Sequence, residues 1–314
     1  MTTTKDRFDF MIAKKGLILN DLDVRGVLSQ GGIPLWSTLD KNASVFHVDP
    51  GSGNDNNPGT QSEPFAATQT AIDACTTGNG DVIVRNPGTE TLTETLALNK
   101  GGITVIAATH GINPLARGEY FAYLSDAGFT DGPIATVTAR CTIIGLGFVS
   151  RDAGSTFFSG AAMLIGGLAT ASPFGVDIIG CRFPKWNVSN RIGIAIEGSS
   201  DCRILGCAFE GVGASFDSGI YVQGATQNLE IQENRFRQCT YAITHGAFAG
   251  GGPHGMYIRN FCEDAKLLEA GGFAATALVS DNFLETATDG VSYDDTVDNL
   301  NALGINFSGN HYAE

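Results

Sequence analysis

Apolar and polar residues alternate in short bursts through the carboxyl half of the chain, and the bursts share one form. An octet recurs as CTIIGLGF (141 to 148), VDIIGCRF (176 to 183), CRILGCAF (202 to 209) and LEIQENRF (229 to 236), then as MYIRNFCE (256 to 263), ALVSDNFL (277 to 284) and INFSGNHY (305 to 312). Its third residue is Ile143, Ile178, Ile204, Ile231, Ile258, Val279 and Phe307 in turn, at spacings of 35, 26, 27, 27, 21 and 28. The first and third positions are apolar in every row, with a polar or variable residue between them in most. That is the period of two expected of a strand with one buried face. The eighth position is Phe at 148, 183, 209 and 236, so these rings are expected to stack.

A second, weaker motif falls between octets: GIAIEG (193 to 198), GIYVQG (219 to 224) and YAITHG (241 to 246). Two short strands per unit, parted by Gly, Asn and Ser turns, cannot each bury a face alone, whereas stacked copies can. The pattern predicts an all-β parallel β-helix, a solenoid whose coils pair at about 4.8 Å, so that the seven rows span roughly 30 Å. The Leu and Asn consensus of a leucine-rich repeat is absent, and a propeller blade would need about 40 residues with antiparallel hairpins.

The stretch from Phe46 to Ala108 contains FHVDPGSGNDNNPGT, then GDVIVRNPGTETL and GGITVIAA. It resembles the amino-terminal signature of the pectate-lyase-like, right-handed parallel β-helix superfamily. There a D-x-x-x-G-x-D type turn leads through N-P-G-T to a short capping helix, and a G-D-x-I-x-V-x-P-G-T-Y type strand opens the first coil. Glu90 stands where that pattern has Tyr. Phe65, Ile72 and Cys75, at roughly helical spacing, independently predict the capping helix over 66 to 75. The resemblance covers about 46 to 314, with a capping segment of about 46 to 80, and implies the fold rather than an activity.

Residues 1 to 45 stand outside the repeat and form an extended arm. Its apolar residues Phe10, Ile12, Leu17, Leu19, Leu22, Val24, Val27 and Leu28 alternate in part, with Gly16 and Gly26 between them. The segment is similar to the K-N-G-L-x-V-N-G-x-L-D-V-x-G stretches near the starts of bacteriophage fibre, spike and other virion structural proteins. Six basic and five acidic residues give the arm +1, so the body carries -15 against the chain's net -14. An apolar, slightly basic arm before an acidic solenoid reads as an attachment and oligomerisation element; an extra strand over the first coil is the simpler alternative.

Composition narrows the picture further. Gly accounts for 41 of 314 residues and charged residues for 17%, which disfavours a helical bundle. At 43% apolar the chain can bury a core. A net charge of -14 argues against nucleic acid as a partner, because phosphate binding rests on cations. Residues 1 to 10 hold Lys5, Asp6, Arg7 and Asp9, so no signal peptide is read there. Ala153 to Val176 is uncharged, but it is rich in Gly, Ser and Thr and contains Pro173, so no membrane span is expected. Seven cysteines without a CxxC pair are expected to be reduced, buried thiols. No cofactor or metal is expected.

Lyases of the superfamily carry W-I-D-H and R-x-P-x-x-R motifs, and its glycoside hydrolases carry N-T-D, D-D and G-H-G. Only Asp294 with Asp295 matches one of these; Arg182 to Pro184 and GGPHG (251 to 255) approach others superficially. On geometry, Glu197, Gln223 and His245 are expected as consecutive rungs of an outward ladder. Glu197 with Asp217 is then the acid and base pair to test, since glycoside hydrolysis needs two carboxyls about 5 to 9.5 Å apart. Trp186 and Tyr221 are candidate glycan-stacking residues. His245 and His254 bracket a Gly-rich insertion, and Asp294, Asp295 and Asp298 form an acidic turn; a solvated loop is the simpler account of each. Cys141, Cys181, Cys202 and Cys207 read as ladder residues, and Asn234, Asn282 and Asn310 as turn-bonding ones.

These features predict a non-enzymatic bacteriophage virion protein made in the host cytoplasm. Its expected form is a homotrimeric capsid decoration held to other virion proteins by residues 1 to 45, since the 269 residues after the arm (314 minus 45) end on a repeat row. The alternatives are a tailspike or tail-fibre type protein that binds or cleaves a host surface polysaccharide, and a non-catalytic sugar-binding module.

Overall fold

The computed structural model describes residues 28–30, 33–36, 43–108, 122–126, 132–149, 161–166, 173–185, 192–211, 216–224, 226–246, 254–263, 265–270, 276–285, 306–308 and 311–312. The chain divides into two units, Met1–Leu39 and Asp40–Glu314. In the first, strands Leu28–Gln30 and Ile33–Trp36 pair antiparallel as a hairpin. Leu28 opens that hairpin, while Phe10, Ile12, Leu17, Leu19, Leu22, Val24 and Val27 lie outside the described residues.

The second unit is a parallel β-helix. Its described strands form three parallel sheets of ten, nine and seven strands, and successive coils contribute one strand to each. The sequence predicts two strands per unit, and the structure has three because the octet itself folds at its fifth residue. Cys141–Ile144 lies in the first sheet and Leu146–Val149 in the second. Between them Gly145 takes φ +72°, and the same corner recurs at Gly180, Gly206, Glu233, Arg259 and Asp281, all with φ between +55° and +72°. A left-handed residue costs about 1 kcal/mol or more when it is not Gly. The coils that carry Glu, Arg or Asp there place Asn at the next position.

Those Asn residues make a ladder. The side-chain amides of Asn234, Asn260 and Asn282 donate to the carbonyls of Ile204, Ile231 and Tyr257 one coil back, at 2.9 to 3.0 Å. Their Oδ1 atoms accept the backbone N–H of Cys207, Asn234 and Asn260. In earlier coils Cys181 and Cys207 fill the same position, and their thiols donate to Ile143 and Ile178 carbonyls at 3.7 and 3.5 Å. All seven cysteines are buried and unbridged.

Asn260 also exposes a slip of one residue in the octet read at 256 to 263. Ile231 pairs with Tyr257, not Ile258, so the row runs from Gly255 to Cys262. Alternation alone favoured Ile258, yet the fully buried residue is Tyr257, whose hydroxyl reaches His245 Nε2 at 2.6 Å. The polar tip is satisfied inside the core, which is what an aromatic hydroxyl needs when buried.

The Phe column stacks as expected: Phe148, Phe183, Phe209 and Phe236 have centroids 5.4, 4.9 and 4.8 Å apart in sequence. Gly193 and Gly219 make room for it, since a Cβ at either would lie 2.6 Å from a ring carbon of Phe209 or Phe236.

At the amino-terminal end the helix α1 (Thr68–Ala74) buries Ala71 and Ile72 over the first coils. Its N-cap Ala67 offers no side-chain acceptor. Glu90 supplies one instead: Oε1 accepts the Thr68 N–H at 2.8 Å, Oε2 accepts the Thr68 hydroxyl, and Arg85 Nε lies 3.3 Å away. A carboxylate at a helix start satisfies an orphan donor and the helix dipole together. Glu90 therefore has a structural role of its own. Burial pushes the Arg85 guanidinium down, and the Glu90 charge opposes that shift. Asp49, Asp55 and Asp81 each accept backbone N–H bonds in the turns they begin or close. Among the described residues no helix is long and apolar enough to cross a membrane.

Candidate functional site

Glu197 ends the third-sheet strand Ile192–Glu197, with Gly166 one coil back and Gln223 one coil on. Burial raises its pKa, and Oε2 is enclosed without a hydrogen-bond partner among the described residues. Asp217 lies in the neighbouring strand Phe216–Gln223, one residue before Ser218, which pairs with Ile192. Glu197 is five residues beyond Ile192, so the two positions are six apart in register, about 20 Å along the strands. An acid and base pair needs less than about 10 Å. The structure does not bring Glu197 and Asp217 together, and the Asp217 side chain lies outside the described residues.

The expected Glu197, Gln223, His245 ladder holds for its first two rungs only. His245 pairs with Val222, which turns it inward, and it is 3% exposed. Tyr221 does face outward, but it is half-buried against Ala161, Ile192 and Ala195, with its hydroxyl over Gly246. Trp186, Asp294, Asp295, Asp298 and the His254 side chain lie outside the described residues.

The structure builds a better site at the corner that leads into the first sheet. There a groove of about 660 Å³ runs along the coils. The register Thr142 to Asp177 to Arg203, carried two residues back, stacks Arg140, Gly175 and Asp201 in one column. Asn228 follows, because Ser200 pairs with Gln227. This column is the floor. Gly175, Asp201 and Asn228 all have positive φ, between 53° and 74°, a conformation open to Gly, Asp and Asn at low cost. One wall is Phe174, 64% exposed. The other is the outward column Asp177, Arg203, Glu230 and Met256, with Met256 41% exposed.

Polar groups in the groove are held by their neighbours. Asp177 and Arg203 form a two-point ion pair at 2.7 and 2.8 Å, which raises the guanidinium pKa; Glu230 adds to the shift. Asn228 donates to Asp201 Oδ1 at 2.7 Å, and the Gln232 amide donates to Glu230 Oε1. Asp201 and Glu230 each keep a second oxygen for a ligand. The Arg140 side chain lies over Gly175, where a Cβ would sit 3.4 Å from its Nε, and it makes no ion pair among the described residues. The combination is an exposed ring beside fixed acceptors and cations, in a concave strip about 19 Å long over five coils.

Sequence reasoning did not bring these residues together as a site. The signal was present: the floor is the residue just before each octet, Arg140, Gly175, Asp201 and Asn228, and the wall is its second residue.

No protein-family model and no characterised protein sequence matches the chain. Among solved structures it is similar to Escherichia coli YbhC, at TM-score 0.51 and 13% identity over 90% of this chain and 89% of that one. The pectate lyase Pel9A is similar at 0.50 and 14%, over 87% and 78%. The GH136 lacto-N-biosidase from Eubacterium ramulus is similar at 0.50 and 12%, over 86% of this chain and 56% of its own. At these identities the likeness is one of fold. The chain is a parallel β-helix. The fold expected from the octets and from Phe46 to Ala108 therefore stands, and this β-helix carries its groove outside the Glu197 face.

Proposed function

We propose that this β-helix recognises an extended polysaccharide on a host surface, with the sugar chain lying in the Phe174 groove, as a tailspike or tail-fibre type protein of a bacteriophage does. The observation that carries the reading is the groove itself: an open aromatic ring, fixed carboxylates and amides, and a concave strip running across consecutive coils. Sugars present apolar faces to aromatic rings and hydroxyls to such acceptors, and a polymer matches a site that repeats from coil to coil. The titles of two fold neighbours name a pectate lyase and a lacto-N-biosidase, which agrees with a scaffold suited to glycans. The virion setting and attachment through residues 1 to 45 belong to the same proposal, supported by the patterning of the arm; a homotrimeric assembly goes with it by analogy to other closed symmetric oligomers.

Titration of the full chain with surface polysaccharides purified from candidate host bacteria tests the reading. Binding is expected, with Phe174→Ala weakening it about tenfold, the loss of one aromatic contact. Binding that survives the substitution unchanged would move the site elsewhere.

A further inference from the structure

We infer that the groove selects a zwitterionic polymer, in which one sugar carries an acidic group and a neighbouring sugar a free amine; the inference rests on the glycan-binding reading above. The floor column carries opposite charges in a fixed order. Arg140 starts at one end and its side chain reaches over Gly175, one coil on; Asp201 follows one coil beyond Gly175, about 5 Å farther along the column. Arg140 is exposed and has no acidic partner among the described residues. Asp177, the carboxylate nearest to it in the wall, is already taken on both oxygens by Arg203.

At the other end the balance is reversed. Asp201 is met by an amide, not a cation, and Glu230, one coil on and two residues along, is also met by an amide. Arg203 stands beside Glu230 in the ladder but is bound to Asp177, so three carboxylates share two guanidiniums along the groove. A neutral glycan would leave Arg140 and Asp201 without counter-charges, and Glu230 with only the Arg203 that Asp177 already holds. A polyanion would match Arg140 and meet repulsion at Asp201 and Glu230; a polycation would do the opposite. A repeat with an anion on one sugar and an ammonium on its neighbour satisfies both in one orientation only, with Phe174 beside the sugar that meets Arg140. Charges arranged in this order discriminate chiefly by the penalty on mismatched ligands.

Three tetrasaccharides of alternating uronate and hexosamine or of hexosamine alone test this on the full-length protein. They are the free-amine uronate–glucosamine form, its N-acetylated parent, and a glucosamine tetramer. The free-amine alternating form is expected to bind at least about tenfold more tightly than the other two, with the preference shrinking as salt rises. Asp201→Asn is expected to remove the preference over the N-acetylated parent, and Arg140→Gln the preference over the glucosamine tetramer. Thermal melts check that both variants stay folded. Equal binding of all three sugars, still weakened by Phe174→Ala, would overturn the charge selection and leave the glycan site standing. Absence of binding to these sugars and to host polysaccharides alike would remove the glycan reading itself.

Discussion

His245 shows what a single polar residue does inside an aliphatic column. It occupies the inward position that Val222 holds one coil back, and only Nε2 finds a partner, the Tyr257 hydroxyl; Nδ1 has none among the described residues. Burial lowers its pKa to about 4 from an ordinary value of about 6.5, so the ring is neutral in the fold. The unfolded chain then takes up the proton first as the pH falls. Stability is expected to be constant above about pH 6.5, to fall between there and about pH 4, and to level off below, a loss of up to about 3 kcal/mol from this group. Urea unfolding as a function of pH measures it, and His245→Gln should flatten that interval. An unchanged slope in the variant would assign the pH dependence to other groups. Neither partner was legible as a core residue in the sequence. His245 had an outward rung assigned by extending the strand pattern, and Tyr257 was displaced by its more hydrophobic neighbour Ile258.

The corner between the first and second sheets is the element that makes the coil. A left-handed residue turns the strand, and the next side chain reaches back to the coil below, through a thiol at Cys181 and Cys207 and an amide at Asn234, Asn260 and Asn282. Asn260 lies between two others: its Oδ1 accepts from the Asn234 backbone and amide, and its own amide donates to Ile231 and Asn282. Asn260→Ala leaves several buried polar groups unpaired and is expected to cost about 3 kcal/mol, read as a lower denaturant midpoint. Asn260→Cys, the residue earlier coils use, is expected to cost less, because the thiol still donates to the carbonyl. Equal loss in both variants would show that the donor bond contributes little. The octet was visible as a repeat, but its fold into two strands was not. One residue in the left-handed region changes direction without interrupting the apolar pattern, and at Glu233, Arg259 and Asp281 no glycine marks the place.

At the scale of the molecule, Met1–Leu39 and Asp40–Glu314 are separate units, and the attachment role proposed for the arm can be tested apart from the β-helix. Removal of residues 1 to 39 is expected to leave the melting temperature of the β-helix within a few degrees of the full chain and to abolish incorporation into phage particles, measured by mass spectrometry of purified virions. Normal incorporation of the shortened protein would remove the arm as anchor. The repeat spacing, the Phe column and the cap at Phe46 to Ala108 determined the parallel β-helix without any coordinates, because stacking forces equivalent residues into equivalent environments and so writes the fold along the chain. Periodicity is a one-dimensional property and survives in a one-dimensional record. The groove is different. Arg140, Gly175, Asp201 and Asn228 are 35, 26 and 27 residues apart, and they become neighbours only when coils of unequal length are brought into register by backbone hydrogen bonds. Register also separated Glu197 from Asp217, which lie only 20 residues apart in the chain, and turned His245 inward. Those pairings depend on which residue faces which across a coil, and a shift of one position reverses the face, so the tertiary structure alone decided them.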